Sequence, residues 1–124
     1  MSFLKKVKVV GEVFKNSPWG VPEDISKLDE NIFWIDTPSH GGIAIKKETA
    51  KKLLPKDALD TFVGDWGTGD WLWYEEDVDS LIPLALIDGL FDKAKTKLGL
   101  SGDKDKIDLA LAAQHKKLAR YLNK

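Results

Sequence analysis

Cysteine is absent from the 124 residues, which excludes a disulfide, a thiolate metal site and a thiol nucleophile, and fits a reducing cytoplasm. Histidine is nearly as scarce, with His40 and His115 the only two. Long apolar runs are also missing. The most apolar stretch, residues 81–90, is interrupted by Pro83, Asp88 and Gly89 and is too short to cross a bilayer. The first four residues run into Lys5 and Lys6 without a signal-peptide core, so the chain is expected to be neither exported nor membrane-embedded. No excess of either sign marks the whole: the net charge is -1, with 43% hydrophobic and 31% charged residues. That is the profile of one ordinary globular domain spanning residues 1–124, large enough to bury a core, and bulk charge selects no partner.

One local absence is more telling. Residues 57–92 carry ten acids and no Lys or Arg, whereas residues 93–124 carry nine basic residues against three acids. An acidic middle and a basic end can attract each other, or the acids can present a face to a basic partner. Asp57, Asp60, Asp65, Asp70, Asp77 and Asp79 are the candidates for such a face.

The best-marked stretch is Trp34-Ile35-Asp36-Thr37-Pro38-Ser39-His40-Gly41-Gly42-Ile43-Ala44-Ile45. Its apolar flanks read as strands, and Pro38 with the Gly41-Gly42 pair predicts a tight reversal holding Ser39 and His40 at its tip. Backbone N–H groups through Ser39, His40, Gly41 and Gly42 would form an anion cradle there, with His40 as acid, base or charge partner. The plainer reading is a hairpin that simply needs its glycines.

Residues 3–14 are rich in valine and predict one or two strands, followed by a turn over residues 16–20. Residues 21–31, polar and containing Pro22, predict a loop or a single helical turn. A short helix is expected over residues 47–54, stopped by Pro55, with another turn over residues 57–63. Residues 64–70 are rich in glycine but lack the Gly-Lys-Ser/Thr ending of a phosphate loop, and predict a connection. Trp71-Leu72-Trp73-Tyr74-Glu75-Glu76-Asp77 reads as a strand ending in acids. Strand alternation puts Glu75 and Glu76 on opposite faces, so one carboxylate is expected beside apolar surface, suited to pairing with His40 or to acid–base work. A helix capped by Asp77 or Asp79 is expected through Leu90, then a stop at Leu98-Gly99, then a last helix over residues 105–122 with His115 on its surface.

The expected fold is α+β: a small, mostly antiparallel sheet covered by two longer C-terminal helices, with residues 77–124 the helical part. Trp34, Trp71, Trp73, Phe33 and Phe62 are expected to supply the apolar face beneath those helices. A single histidine among acids is a thin ligand set, so neither a metal nor another cofactor is expected.

Pro18-Trp19-Gly20, Thr37-Pro38-Ser39-His40-Gly41-Gly42-Ile43, Leu54-Pro55 and Trp73-Tyr74-Glu75-Glu76-Asp77, in that order, resemble an uncharacterised domain family of phages, plasmids and other mobile elements, sometimes attached to anti-restriction-type proteins. The resemblance covers roughly residues 16–90. It implies a mobile-element protein in the cytoplasm of a bacterial host, with a site built from the two longer motifs, and leaves the basic C-terminal segment outside. The leading expectation is an accessory protein that binds and inhibits a host defence system, of anti-CRISPR or anti-restriction type. Its partner would be a defence protein met by the acidic segment, or a phosphorylated small molecule held by residues 39–42. The alternative is a small hydrolase of a phosphoester or similar bond, with His40 and a carboxylate of Glu75 or Glu76 as the acid–base pair. Nucleic-acid binding by residues 104–124 is the weaker reading, because that segment alternates basic residues with apolar ones it must bury.

Overall fold

The computed structural model describes residues 18–38, 40–61, 70–76 and 79–122. The strands expected over residues 3–14, the first part of the turn at 16–20, all but the last residue of the connection expected over 64–70, the core residue Phe62, and the site candidates Ser39, Asp65 and Asp77 lie outside the described residues.

Four strands, β1 (Asp24–Asp29), β2 (Ile32–Asp36), β3 (Gly41–Lys46) and β4 (Trp71–Glu75), form an antiparallel sheet in the order β1-β2-β3-β4. The helices are α1 (Lys47–Leu53), α2 (Lys56–Thr61), α3 (Leu81–Leu86), α4 (Leu90–Leu98) and α5 (Lys104–Gln114), followed by a 3₁₀ helix (Lys116–Tyr121). The fold is a small α+β domain. Among the described residues no helix is long and apolar enough to cross a membrane.

β1 occupies the segment expected to be a loop. Its residues are mostly polar because it is an edge strand that buries little, and a register shift between Lys27 and Asp29 marks a bulge that lets Leu28 join the core. Lys93 of α4 reaches back to Asp29 at 2.6 Å, and this hydrogen bond, with the Glu30 N–H, holds the Asp29 carboxyl below the usual range.

Alternation divides the sheet into two faces. Leu28, Ile32, Ile43, Ile45 and Tyr74 pack with α1 to α5 and with Leu118 of the 3₁₀ helix. On the other face Phe33, Ile35, Ala44, Trp71 and Trp73 gather with Trp19, whose ring meets Trp73 edge-on at 5.8 Å. This corrects the expectation that the aromatic residues lie beneath the helices. Of those named, Trp34 does so, whereas Phe33, Trp71 and Trp73 face away because their strand positions have the opposite parity.

The helical part is divided more finely than periodicity suggests. The expected helix through Leu90 is two helices, α3 and α4, separated at Gly89 with φ of 75°, a left-handed conformation that costs other residues about 1–2 kcal/mol. Ser80 takes the cap position of α3 and makes no side-chain capping bond, so Asp79 is not the cap. The last helix breaks at His115, whose φ and ψ of -133° and 72° are not helical. Lys116, Lys117 and Arg120 consequently sit on the 3₁₀ helix and not on the last turns of a helix running to residue 122.

Candidate functional site

The chain reverses between Asp36, the last residue of β2, and Gly41, the first of β3, so Gly41 and Gly42 belong to β3, opposite Asp36 and Ile35. The glycine pair was expected to form the turn, and the correction has a packing cause. A Cβ on Gly42 would lie 2.1 Å from the Tyr74 carbonyl oxygen and 2.7 Å from the Trp19 ring, so only glycine lets β4 and Trp19 approach. At Gly41 the space is tight but less so, with the Ile35 carbonyl oxygen, the Asp36 Oδ1 and the Glu76 Oε2 at 3.1–3.3 Å.

Thr37 fastens the reversal. Its N–H donates to the His40 carbonyl at 2.8 Å, its hydroxyl donates to the same oxygen at 2.6 Å, and the hydroxyl accepts the His40 N–H at 3.0 Å. Sequence reasoning passed over Thr37. A β-branched hydroxyl before a Pro-containing turn was the available signal. The same bonds take the His40 N–H out of the anion cradle expected at residues 39–42, while Gly41 and Gly42 are engaged as strand residues.

What the hairpin does present is the His40 imidazole. Glu75 is opposite Gly42 on β4, on the same face as Trp71 and Trp73, and its Oε1 lies 3.5 Å from His40 Nδ1. Two residues 35 positions apart thus meet at one end of the sheet, with side chains 50% and 39% exposed. When the imidazole is protonated they form an ion pair, worth at most about 1 kcal/mol in such solvent contact. Glu76 does not share this place. Its carboxylate turns to the other face beside Gly41, where the Asp36 carboxylate also lies and accepts the Trp34 indole N–H at 3.1 Å.

The four described acidic candidates differ in their surroundings. Asp57 is held by the basic end of the chain: Arg120 pairs with it, and the Tyr121 hydroxyl donates to its Oδ2 at 2.7 Å. Asp60 and Asp70 are exposed, the latter accepting the Lys47 N–H at its backbone carbonyl. Asp79 is half-buried, and burial first, then the charge of Glu75, raise its carboxyl above the ordinary range against a lowering by His115. Burial and the Asp79 charge together raise the Tyr74 phenol as well.

His115, expected on the surface, is half-buried at the break between α5 and the 3₁₀ helix. Its Nε2 is sealed from solvent and has no hydrogen-bond partner among the described residues, a condition that costs about 1–3 kcal/mol. Helical periodicity hid this residue because the helix it was assigned to ends one position before it. Among the described residues no three His, Asp or Glu side chains gather to hold a metal ion.

Residues 12–118 match the family described as a domain of unknown function, DUF7007. The chain belongs to that family. The DUF7007 match takes in both halves of the His40–Glu75 pair and also α5, which the resemblance had left outside. Comparison with curated proteins and with solved structures gives no match.

Proposed function

We propose that this DUF7007 protein works by binding a protein partner at the end of the sheet where the β2–β3 reversal meets β4, and that the partner belongs to a host defence system of anti-CRISPR or anti-restriction type. The observation that carries the binding reading is the His40–Glu75 pair: two polar side chains, one just before β3 and one at the end of β4, 3.5 Å apart and half-exposed, with the His40 backbone hydrogen-bonded to Thr37. Groups so open to water are placed to exchange solvent for a partner's hydrogen bonds. The defence assignment rests on the resemblance of the Thr37–Ile43 and Trp73–Asp77 motifs to mobile-element proteins. Asp60 and Asp70 supply exposed negative charge that speeds encounter with a basic partner, while Asp57 is occupied by Arg120.

The same pair supports a second reading. An imidazole beside a carboxylate is the minimum for general acid–base hydrolysis of a phosphoester.

Affinity capture from infected or defended cells, with mass spectrometry of proteins and small molecules, separates the two. Under the binding reading wild-type protein retains a defence component and His40→Ala with Glu75→Gln releases it, at unchanged melting temperature. Capture that survives the double change ends the reading for this surface. Turnover of a chromogenic phosphoester that disappears in His40→Ala establishes the hydrolase instead.

A further inference from the structure

A second place in the molecule, away from the hairpin, has the makings of a ligand site. Between α2 and the junction of α5 with the 3₁₀ helix lies an open-sided cleft of about 950 Å³, lined by Asp57, Asp60, His115, Lys116, Lys117 and Arg120. Its size is that of pockets that take small molecules.

The charges of the cleft are not evenly spent. Arg120 is committed to Asp57 and lies 4.9 Å over the Tyr121 ring, and Tyr121 itself donates to Asp57, so this corner is closed and close to neutral. Lys116 and Lys117 are both exposed, adjacent in sequence, and engaged by no carboxylate among the described residues. Both line the cleft, so their two positive charges favour an anion bound there. Asp60, also exposed and in no ion pair among the described residues, is the remaining acid of the lining. His115 forms part of the wall with one ring nitrogen sealed off and unpartnered. That leaves an arrangement with two unspent cations, an imidazole and one carboxylate acceptor.

We propose that this cleft binds a small phosphate monoester carrying hydroxyl groups, its phosphate between Lys116 and Lys117 and its hydroxyls donating to Asp60. Phosphate needs charge-assisted donors, which the two lysines supply, and a carboxylate would repel it unless directed to another part of the ligand. Asp60 therefore sets the orientation: a bare anion gains nothing from it, and a sugar hydroxyl does. Asp57 offers no competing repulsion because Arg120 neutralises it.

The full chain is titrated at low ionic strength with ribose 5-phosphate and, separately, with inorganic pyrophosphate, by calorimetry and by amide chemical-shift mapping. Both anions are expected to bind, moving amides of residues 57–60 and 113–120 and leaving residues 37–42 still. Lys116→Glu with Lys117→Glu is expected to weaken both by at least about tenfold, as loss of charge-assisted bonds requires. Asp60→Asn weakens ribose 5-phosphate and leaves pyrophosphate unchanged or tighter. Because both lysines are exposed, circular dichroism of the double variant is expected to match wild type, and the shift map on wild-type protein decides the matter on its own if it does not. The proposal is overturned by absence of binding up to ~10 mM, where affinity falls below any specific site. Shifts centred on the hairpin, or binding to a duplex oligonucleotide with neither small anion retained, overturn it equally.

Discussion

Gly42 has no room for a side chain, and the cost of adding one is set by which atoms are in the way. A Cβ there meets the Tyr74 carbonyl and the Trp19 ring, a backbone atom and a packed indole, neither of which moves freely. Gly42→Ala is expected to lower stability by about 3 kcal/mol or more, or to leave the protein unfolded, as urea denaturation will show. Gly41→Ala meets neighbours at 3.1–3.3 Å, two of them ends of carboxylate side chains, and is expected to cost only about 1 kcal/mol in the same experiment. Asp79 is the other residue whose surroundings make a prediction. Its folded carboxyl binds a proton more tightly than the unfolded one, so the native state carries the extra proton between the two values, and stability falls as pH rises from the unfolded value of 3.8 through the raised folded one. Asp79→Asn removes that penalty. It is expected to raise the melting temperature at pH 7 and to make no difference well below pH 3.8, where the carboxyl is protonated in both states.

The elements were legible where a residue acts on its own neighbours. Pro55 follows α1 and Gly99 follows α4, as the sequence predicts, and Pro83 lies within the first turn of α3 where a proline is tolerated. α5 begins at Asp103, whose carboxylate accepts the Lys106 N–H at 3.1 Å. Asp103→Ala is expected to destabilise the protein by about 1 kcal/mol, read by urea denaturation, with Asp103→Asn restoring most of it because the amide oxygen is still an acceptor. Legibility failed where an element depends on a distant partner. β1 is too polar to be recognised from its composition, and it is a strand because β2 offers a ladder to pair with. The break at His115 has no proline or glycine to announce it. Leu111 before the break and Leu118 after it are both fully buried in the core.

At the scale of the molecule, the acidic middle and basic end meet at Asp57, Arg120 and Tyr121, so part of the charge asymmetry is used within the chain. Three properties followed from the amino-acid sequence alone: the α+β class, the strand character of Ile32–Asp36 and Trp71–Glu75, and the prominence of His40 beside a glycine pair. Each depends on local periodicity and local sterics, which act over a few residues and need no knowledge of the rest. The tertiary structure decided the others: that Glu75 and not Glu76 reaches His40, that the glycines serve close packing and not the turn, and that His115 closes one wall of a cleft. Those outcomes depend on strand register and on which face meets the helices, and a shift of one residue in pairing would reverse every one of the strand assignments.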